Sequence, residues 1–125
     1  MREIKFRGKC KDDGTWVFGS YVRTALGLNY ILPQNVLGNS SIQWLVNGKT
    51  VGQYTGLKDK HGKEIYEGDI VKIGDYPTYE VTINKFTQMH VIDNEMGMEE
   101  LWKNHKVCKI IGNIYENLEL LGDYK

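Results

Sequence analysis

Basic residues recur at every second position near the start of the chain: Lys5, Arg7, Lys9 and Lys11. The residues between them are apolar or small: Ile4, Phe6, Gly8 and Cys10. A period of two places the two sets on opposite faces of an extended strand, one face apolar and the other basic. Because a row of cations can neutralise phosphates, the basic face is a candidate nucleic-acid surface.

A second group of lysines surrounds a predicted turn: Lys58, Lys60 and Lys63. Asp59 and Gly62 are typical of the turn itself, because Asp bonds its own backbone and Gly accepts unusual backbone angles. In one interpretation these lysines extend the candidate binding surface. In the other, they are solvated side chains on a structural turn.

Three carboxylates lie in and just after this turn, Glu64, Glu67 and Asp69. Carboxylates hold metals or transfer protons, so a metal-assisted hydrolase using Asp59, Glu67 or Asp69 is one enzymatic hypothesis. Their spacing departs from that of a calcium-binding loop, and the structural interpretation is favoured. In it, Asp69 fixes the turn at Gly68, and Glu64 and Glu67 lie on the surface.

The remaining reactive side chains form no set with a known spacing. His61, His90 and His105 are too widely spread for a zinc site and match no zinc motif. Cys10 and Cys108 make no disulfide framework, so we predict two free, inert thiols at apolar strand positions. The glycines form no nucleotide-binding motif. The sequence therefore predicts no catalytic residue, no metal and no cofactor.

The elements that must position these residues are short strands. Glycines, 14 in all, separate stretches rich in Val, Ile, Tyr, Trp and Thr, which is typical of a β protein. We predict a hairpin over 4–23 and a second hairpin turn at Asn47-Gly48. Residues 34–41 are predicted as a loop, and 95–104 as the one short helix. Further strands are predicted at 30–32, 42–46, 65–66, 70–73, 79–85, 89–92 and 107–115.

Composition limits the fold class and the partners. The chain has 125 residues, with 16 Lys+Arg and 16 Asp+Glu, which suits one domain with its own core. About eight short strands and little helix predict a small barrel or two packed sheets. The sequence has neither a long apolar run nor a start like a secretory leader. We therefore expect a cytoplasmic protein with no membrane partner.

The zero net charge conceals an uneven distribution along the chain. Residues 1–72 carry 11 basic and 7 acidic side chains, a net +4, and residues 73–125 carry 5 basic and 9 acidic side chains, a net −4. Neutrality argues against strong, indiscriminate nucleic-acid binding. Opposite charges at the two ends favour self-association, in which the basic surface of one copy meets the acidic surface of another.

Three blocks of sequence resemble the YopX family of phage and prophage proteins. They are REIKFRGK at 2–9, VGQYTGLKDKHGKEIYEGDIVK at 51–72 and IIGNIYENLELL at 110–121. The resemblance implies a mainly β fold, with an SH3-like barrel over about residues 54–121 and a gene carried by a phage or prophage. It implies no established activity. One departure is Asn117-Leu118, where the family usually has Asn-Pro.

These observations define the predicted organisation and function. We expect a single YopX-type domain, with an N-terminal β-hairpin region at 1–53 and the SH3-like barrel portion at 54–125. The favoured function is a noncatalytic binding or assembly module that takes a protein partner or a second copy. The first alternative is a nucleic-acid-binding module that uses the basic strand face and the 58–63 turn. The second alternative is the metal-assisted hydrolase.

Overall fold

The computed structural model of the protein describes residues 3–33, 42–75 and 77–124. They belong to two compact units, Met1–Tyr54 and Thr55–Lys125. The predicted loop at 34–41 lies outside the described residues. In the described part of the chain, no helix is long and apolar enough to cross a membrane.

The first unit is a small ring of antiparallel strands. It contains β1 (Phe6–Cys10), β2 (Trp16–Arg23), β3 (Asn29–Leu32) and most of β4 (Trp44–Lys58). The strands pair in chain order, and β1 also pairs with β4, which closes the ring. Val17, Ile31 and Val46 form its buried core. The predicted 4–23 hairpin is confirmed, and β3 and β4 pair with its strands in the same sheet.

The predicted hairpin turn at Asn47-Gly48 is wrong, because β4 continues through it as one strand. Asn47-Gly48 instead begins a bulge in β4, because Arg7 pairs with Gly52 but Lys9, two residues on, pairs with Asn47. Hydrogen bonds satisfy the bulged backbone. Thr50 Oγ1 donates to Asn47 O over 2.6 Å, and the same oxygen accepts from Lys9 N over 2.9 Å. Asn47-Gly48 thus begins a β-bulge within β4 and does not reverse the chain.

The second unit is built on a five-stranded antiparallel sheet in the order β10-β6-β7-β8-β9. Its elements are β5 (Glu64–Tyr66), β6 (Asp69–Ile73), β7 (Thr78–Ile83), β8 (His90–Asn94), β9 (Gly97–Glu100), α1 (Leu101–Asn104), a 3₁₀ helix (His105–Val107), β10 (Cys108–Asn113) and a second 3₁₀ helix (Leu118–Tyr124). The core includes Ile65, Val71, Val81, Ile92 and Leu101. Mainly β structure with at most one short α-helix is thereby confirmed. The partly closed, barrel-like sheet is the one that contains β1 to β4, whereas the described strands of the second unit form an open sheet.

The helix is shorter than predicted, because 97–100 forms β9 and only 101–104 is α-helical. Asn94 turns the chain before the strand, since its Oδ1 accepts from Met96 N and Gly97 N. Met98 then pairs with Asp93 across the sheet. The apolar spacing of Met98, Leu101 and Trp102 resembled a helical face, but tertiary strand pairing overrides it.

Candidate functional site

The basic strand face differs from its prediction. Arg7 is only 8% exposed, and its guanidinium lies 4.6 Å from the centre of the Trp16 ring. Lys9 also approaches that ring, at 5.9 Å, and Lys5 lies 5.3 Å from the Tyr54 ring centre. Arg7 is therefore a buried cation stacked on an aromatic ring. Cation–π stacking and burial hold this part of the strand together.

Lys11 differs from the other three, because it lies beyond the end of β1 and is exposed. Its backbone N–H donates to Leu45 O over 2.9 Å, which ties it to β4. The opposite face also departs from prediction, since Ile4 is 65% exposed. Of the four predicted basic positions, Lys11 alone is exposed, since Lys5 and Lys9 are half-buried and Arg7 is buried.

The 58–63 turn is held by Asp59. Its Oδ1 accepts from His61 N and Lys63 N, each over 2.9 Å, and its Oδ2 accepts from Ile110 N over 3.1 Å. Burial acts to raise the pKa of Asp59, but these backbone N–H groups outweigh it, so the net shift is downward. Lys58, Lys60 and Lys63 are exposed around the turn. Asp59 therefore has the predicted turn-building role.

The other carboxylates have structural partners as well. Asp69, 2% exposed, accepts from Tyr66 N through Oδ2 over 2.8 Å, which confirms its role at the Gly68 turn. Glu67, predicted as a plain surface residue, lies 2.8 Å from His90 Nε2. Among the described residues, no three His, Cys, Asp or Glu side chains group as a metal site would require.

The thiols occupy two different environments. Cys108 is fully buried, and burial, helped by the charges of Asp59 and Glu99, raises its pKa to about 11. Such a thiol stays protonated and unreactive at neutral pH, as predicted. Cys10 is a half-buried free cysteine.

The first unit contains a polar cleft of about 410 Å³, which we call the basic cleft. Its lining comprises three cations, two amides, a phenol and a glycine: Lys11, Arg23, Lys49, Asn29, Asn47, Tyr21 and Gly48. The three cations are exposed. None forms an ion pair within residues 3–33, 42–75 and 77–124. The lining contains no carboxylate, so the charges are uncompensated within it.

Strand register explains how these residues meet. Tyr21 pairs with Ile31 and Arg23 pairs with Asn29. Because alternate residues share a face, Tyr21, Arg23 and Asn29 lie on the same side of the sheet as the buried Ile31. The basic cleft is thus the polar continuation of the core face. The β4 bulge adds Asn47, Gly48 and Lys49 from across the ring.

The floor of the basic cleft is fixed by close contacts. The Tyr21 ring lies 5.6 Å from Phe6, and its hydroxyl donates to Asn29 Oδ1 over 2.5 Å. Asn29 Nδ2 donates in turn to Gly27 O over 3.3 Å. Gly48 packs against this amide so closely that a Cβ there would lie 2.6 Å from Asn29 Nδ2. Only glycine fits beside Asn29 without displacing it.

Sequence reasoning identified only Lys11 of this set. Arg23 and Lys49 are isolated cations in the sequence, and no local pattern connects them. They share a cleft because β2 pairs with β3 and because β4 bulges after Asn47. The predicted candidates Lys58, Lys60 and Lys63 lie in the second unit and outside this cleft.

The family model described as YopX protein matches residues 5–122. No curated protein sequence matches the chain.

Proposed function

The chain belongs to the YopX family, and we propose that it is a noncatalytic binding module that holds an anionic partner in the basic cleft. One observation carries the proposal: Lys11, Arg23 and Lys49 line a single cleft that no carboxylate shares. Like charges collected on a concave surface repel one another in the free protein. An anionic ligand relieves that repulsion and is drawn in by the focused positive potential.

The noncatalytic part of the proposal draws on the roles of the reactive groups. Asp59 and Asp69 are buried and engaged with backbone N–H groups, so neither is placed to transfer protons with a substrate. The Cys108 thiol is buried and protonated. The basic cleft is lined by no carboxylate, imidazole or thiol, the groups that most often act as bases or nucleophiles.

Origin and location are further parts of the proposal. The resemblance of the three sequence blocks to phage and prophage proteins supports a gene carried by a phage or prophage. Action in the cytoplasm of the bacterial host agrees with the expectation from the sequence. A protein or nucleic-acid partner would then be met in that compartment.

Assembly with further copies is the second candidate function, and the charges of the two units favour it. Residues 1–54 carry 7 basic and 3 acidic side chains, a net +4, and residues 55–125 carry 9 basic and 13 acidic side chains, a net −4. The second unit also has an acidic cleft lined by Glu80, Asp93 and Glu95. Head-to-tail contact between copies would match opposite charges.

The proposal is tested by titration calorimetry with inorganic polyphosphate, an anion that has no further recognition features. The cleft variant K11Q/R23Q/K49Q removes three charges from the basic cleft. The matched control K85Q/K106Q/K109Q removes three exposed charges from the second unit. We expect binding by the native chain and the control, and none by the cleft variant, at salt low enough to limit screening. Equal binding by both variants, or no binding by the native chain, would overturn the proposal.

A further inference from the structure

The chemistry of the whole basic cleft specifies its ligand more narrowly than its charge does. We infer that the partner is a single strand of nucleic acid, with one nucleotide seated in the basic cleft. This inference rests on the proposed function, because it presupposes that the basic cleft binds an anion.

Shape favours a single strand over a duplex. Proteins read a duplex by inserting a helix or a ribbon into a groove, which requires a protruding element. The basic cleft is concave, and its volume of about 410 Å³ falls within the range of small-molecule sites, about 300–1,000 Å³. A site of this form receives one unstacked nucleotide, and single strands present such nucleotides.

The cations suit the backbone of that strand. Arg23 offers a planar fork of donors that matches two phosphate oxygens, and Lys11 and Lys49 offer point charges. Each phosphodiester carries one negative charge, so three cations correspond to at most three consecutive phosphates. The contact is therefore short, and its salt dependence is correspondingly modest.

The neutral groups separate nucleic acid from an acidic peptide. Asn29, Asn47 and the Tyr21 hydroxyl lie among the cations, and an amide both donates and accepts hydrogen bonds. Base edges also carry donors and acceptors side by side, and Asn recognises them in this way. A run of carboxylates offers acceptors alone, so it could not donate to the amide oxygens of the basic cleft.

The amide groups are also held in place before any ligand arrives. Tyr21 fixes Asn29 through its hydroxyl, and Asn47 Oδ1 accepts from Lys49 N over 3.0 Å. Contact with Gly48 limits the space into which Asn29 can rotate. Such pre-organisation lowers the ordering cost of binding and makes the hydrogen-bond pattern selective.

Fluorescence anisotropy of a labelled oligonucleotide of about 10 nucleotides, within the site sizes of single-strand binders, tests the inference. We expect saturable binding with a slope of log K against log salt of about −2, from three contacts at about −0.7 each. A fourfold rise in salt should then weaken binding about 20-fold. The cleft variant should lose binding, and the charge-matched control should retain it.

Asn47→Ala gives the sharper measurement, because it leaves every charge in place. We expect it to weaken the oligonucleotide about fivefold or more and to leave polyphosphate binding unchanged. Circular dichroism confirms that each variant folds, and Asn47→Ser, which is neutral and can still accept from Lys49 N, serves as a second variant with the same expected loss.

The outcomes separate the inference from the proposed function. If polyphosphate and polyglutamate bind to the basic cleft as tightly as the oligonucleotide, the cleft takes anions but the nucleic-acid inference fails. Tighter binding of a duplex than of a single strand also overturns the inference. The inference fails as well if the native chain binds no oligonucleotide but self-associates with rising concentration, and the cleft variant does not self-associate. If none of these anions binds, the proposed function fails as well.

Discussion

Gly19 lies where β2 passes from one neighbouring strand to the other, and its replacement by Ala is expected to separate β2 from β3. At this residue β2 changes partner, since Phe6 of β1 pairs with Gly19 and Leu32 of β3 pairs with Ser20. A Cβ at Gly19 would overlap Leu32 O and lie 2.7 Å from the Leu32 carbonyl carbon. Both obstacles are backbone atoms, so no side-chain rotation can relieve the overlap.

The size of the effect follows from what must separate. Moving Leu32 away to ordinary contact distance breaks the adjoining hydrogen bonds between β2 and β3 and leaves their backbone groups unsatisfied. Each such loss costs about 1–3 kcal/mol, so we expect at least about 3 kcal/mol of destabilisation for Gly19→Ala. For a chain of this length, that lowers Tm by about 10 °C or more.

Gly14→Ala is the matched control for this prediction. Gly14 has a φ of +73°, and a Cβ there would have no heavy atom within 4 Å. Its replacement therefore incurs only the cost of a left-handed backbone, about 1–2 kcal/mol. Thermal unfolding followed by circular dichroism compares the two variants. The steric explanation is refuted if Gly19→Ala is no less stable than Gly14→Ala.

Three further predictions concern titratable groups. Because the pKa of Asp59 is lowered in the folded chain, its carboxylate stabilises the fold at pH values above 3.8, the ordinary pKa, and this stabilisation is lost as pH falls. Asp59→Asn should therefore lower Tm at pH 7 and reduce the drop of Tm at acid pH. Burial, then the charge of Asp93, raises the pKa of Glu80, so Glu80→Gln should raise Tm at neutral pH, and a lower Tm would contradict this. With a pKa of about 11, Cys108 should resist a thiol reagent at pH 8 until urea is added, whereas Cys10 reacts first; equal native rates would contradict the assignment.

Much of the fold could be predicted from local sequence patterns. The hairpin over 4–23 follows from strict alternation around a turn that Asp13 stabilises by accepting from Thr15 N. The turn at 58–63 follows from Asp59 and Gly62, whose short-range hydrogen bonds do not depend on the rest of the chain. Such features are predictable because their physical causes lie within a few residues of one another.

The errors arose where distant residues decide the outcome. Arg7 lies on the face of its strand that the alternating pattern makes polar, yet Trp16 from the neighbouring strand covers it. Asn47-Gly48 has the composition of a hairpin turn, but pairing with β1 on both sides keeps β4 continuous. Local preference sets what a segment can do, and tertiary pairing selects among the possibilities.

The basic cleft itself could be predicted only in part. Lys11 stands in a visible row of cations, but Arg23 and Lys49 are separated by long stretches of chain, and only strand pairing brings them together. Gly48 and Asn29 likewise acquire their roles from a contact between β3 and β4. The division into two regions near residue 54, and the single-domain organisation, remain predictions.

The central claim is that the basic cleft of the first unit binds anions, and a two-dimensional NMR titration with inorganic polyphosphate tests it most directly. Binding in the basic cleft predicts that the largest shifts fall on the backbone amides of Arg23, Asn29, Gly48 and Lys49, with little change at Lys58–Lys63. Shifts concentrated at the 58–63 turn, or an unchanged spectrum at saturating polyphosphate, would contradict the claim.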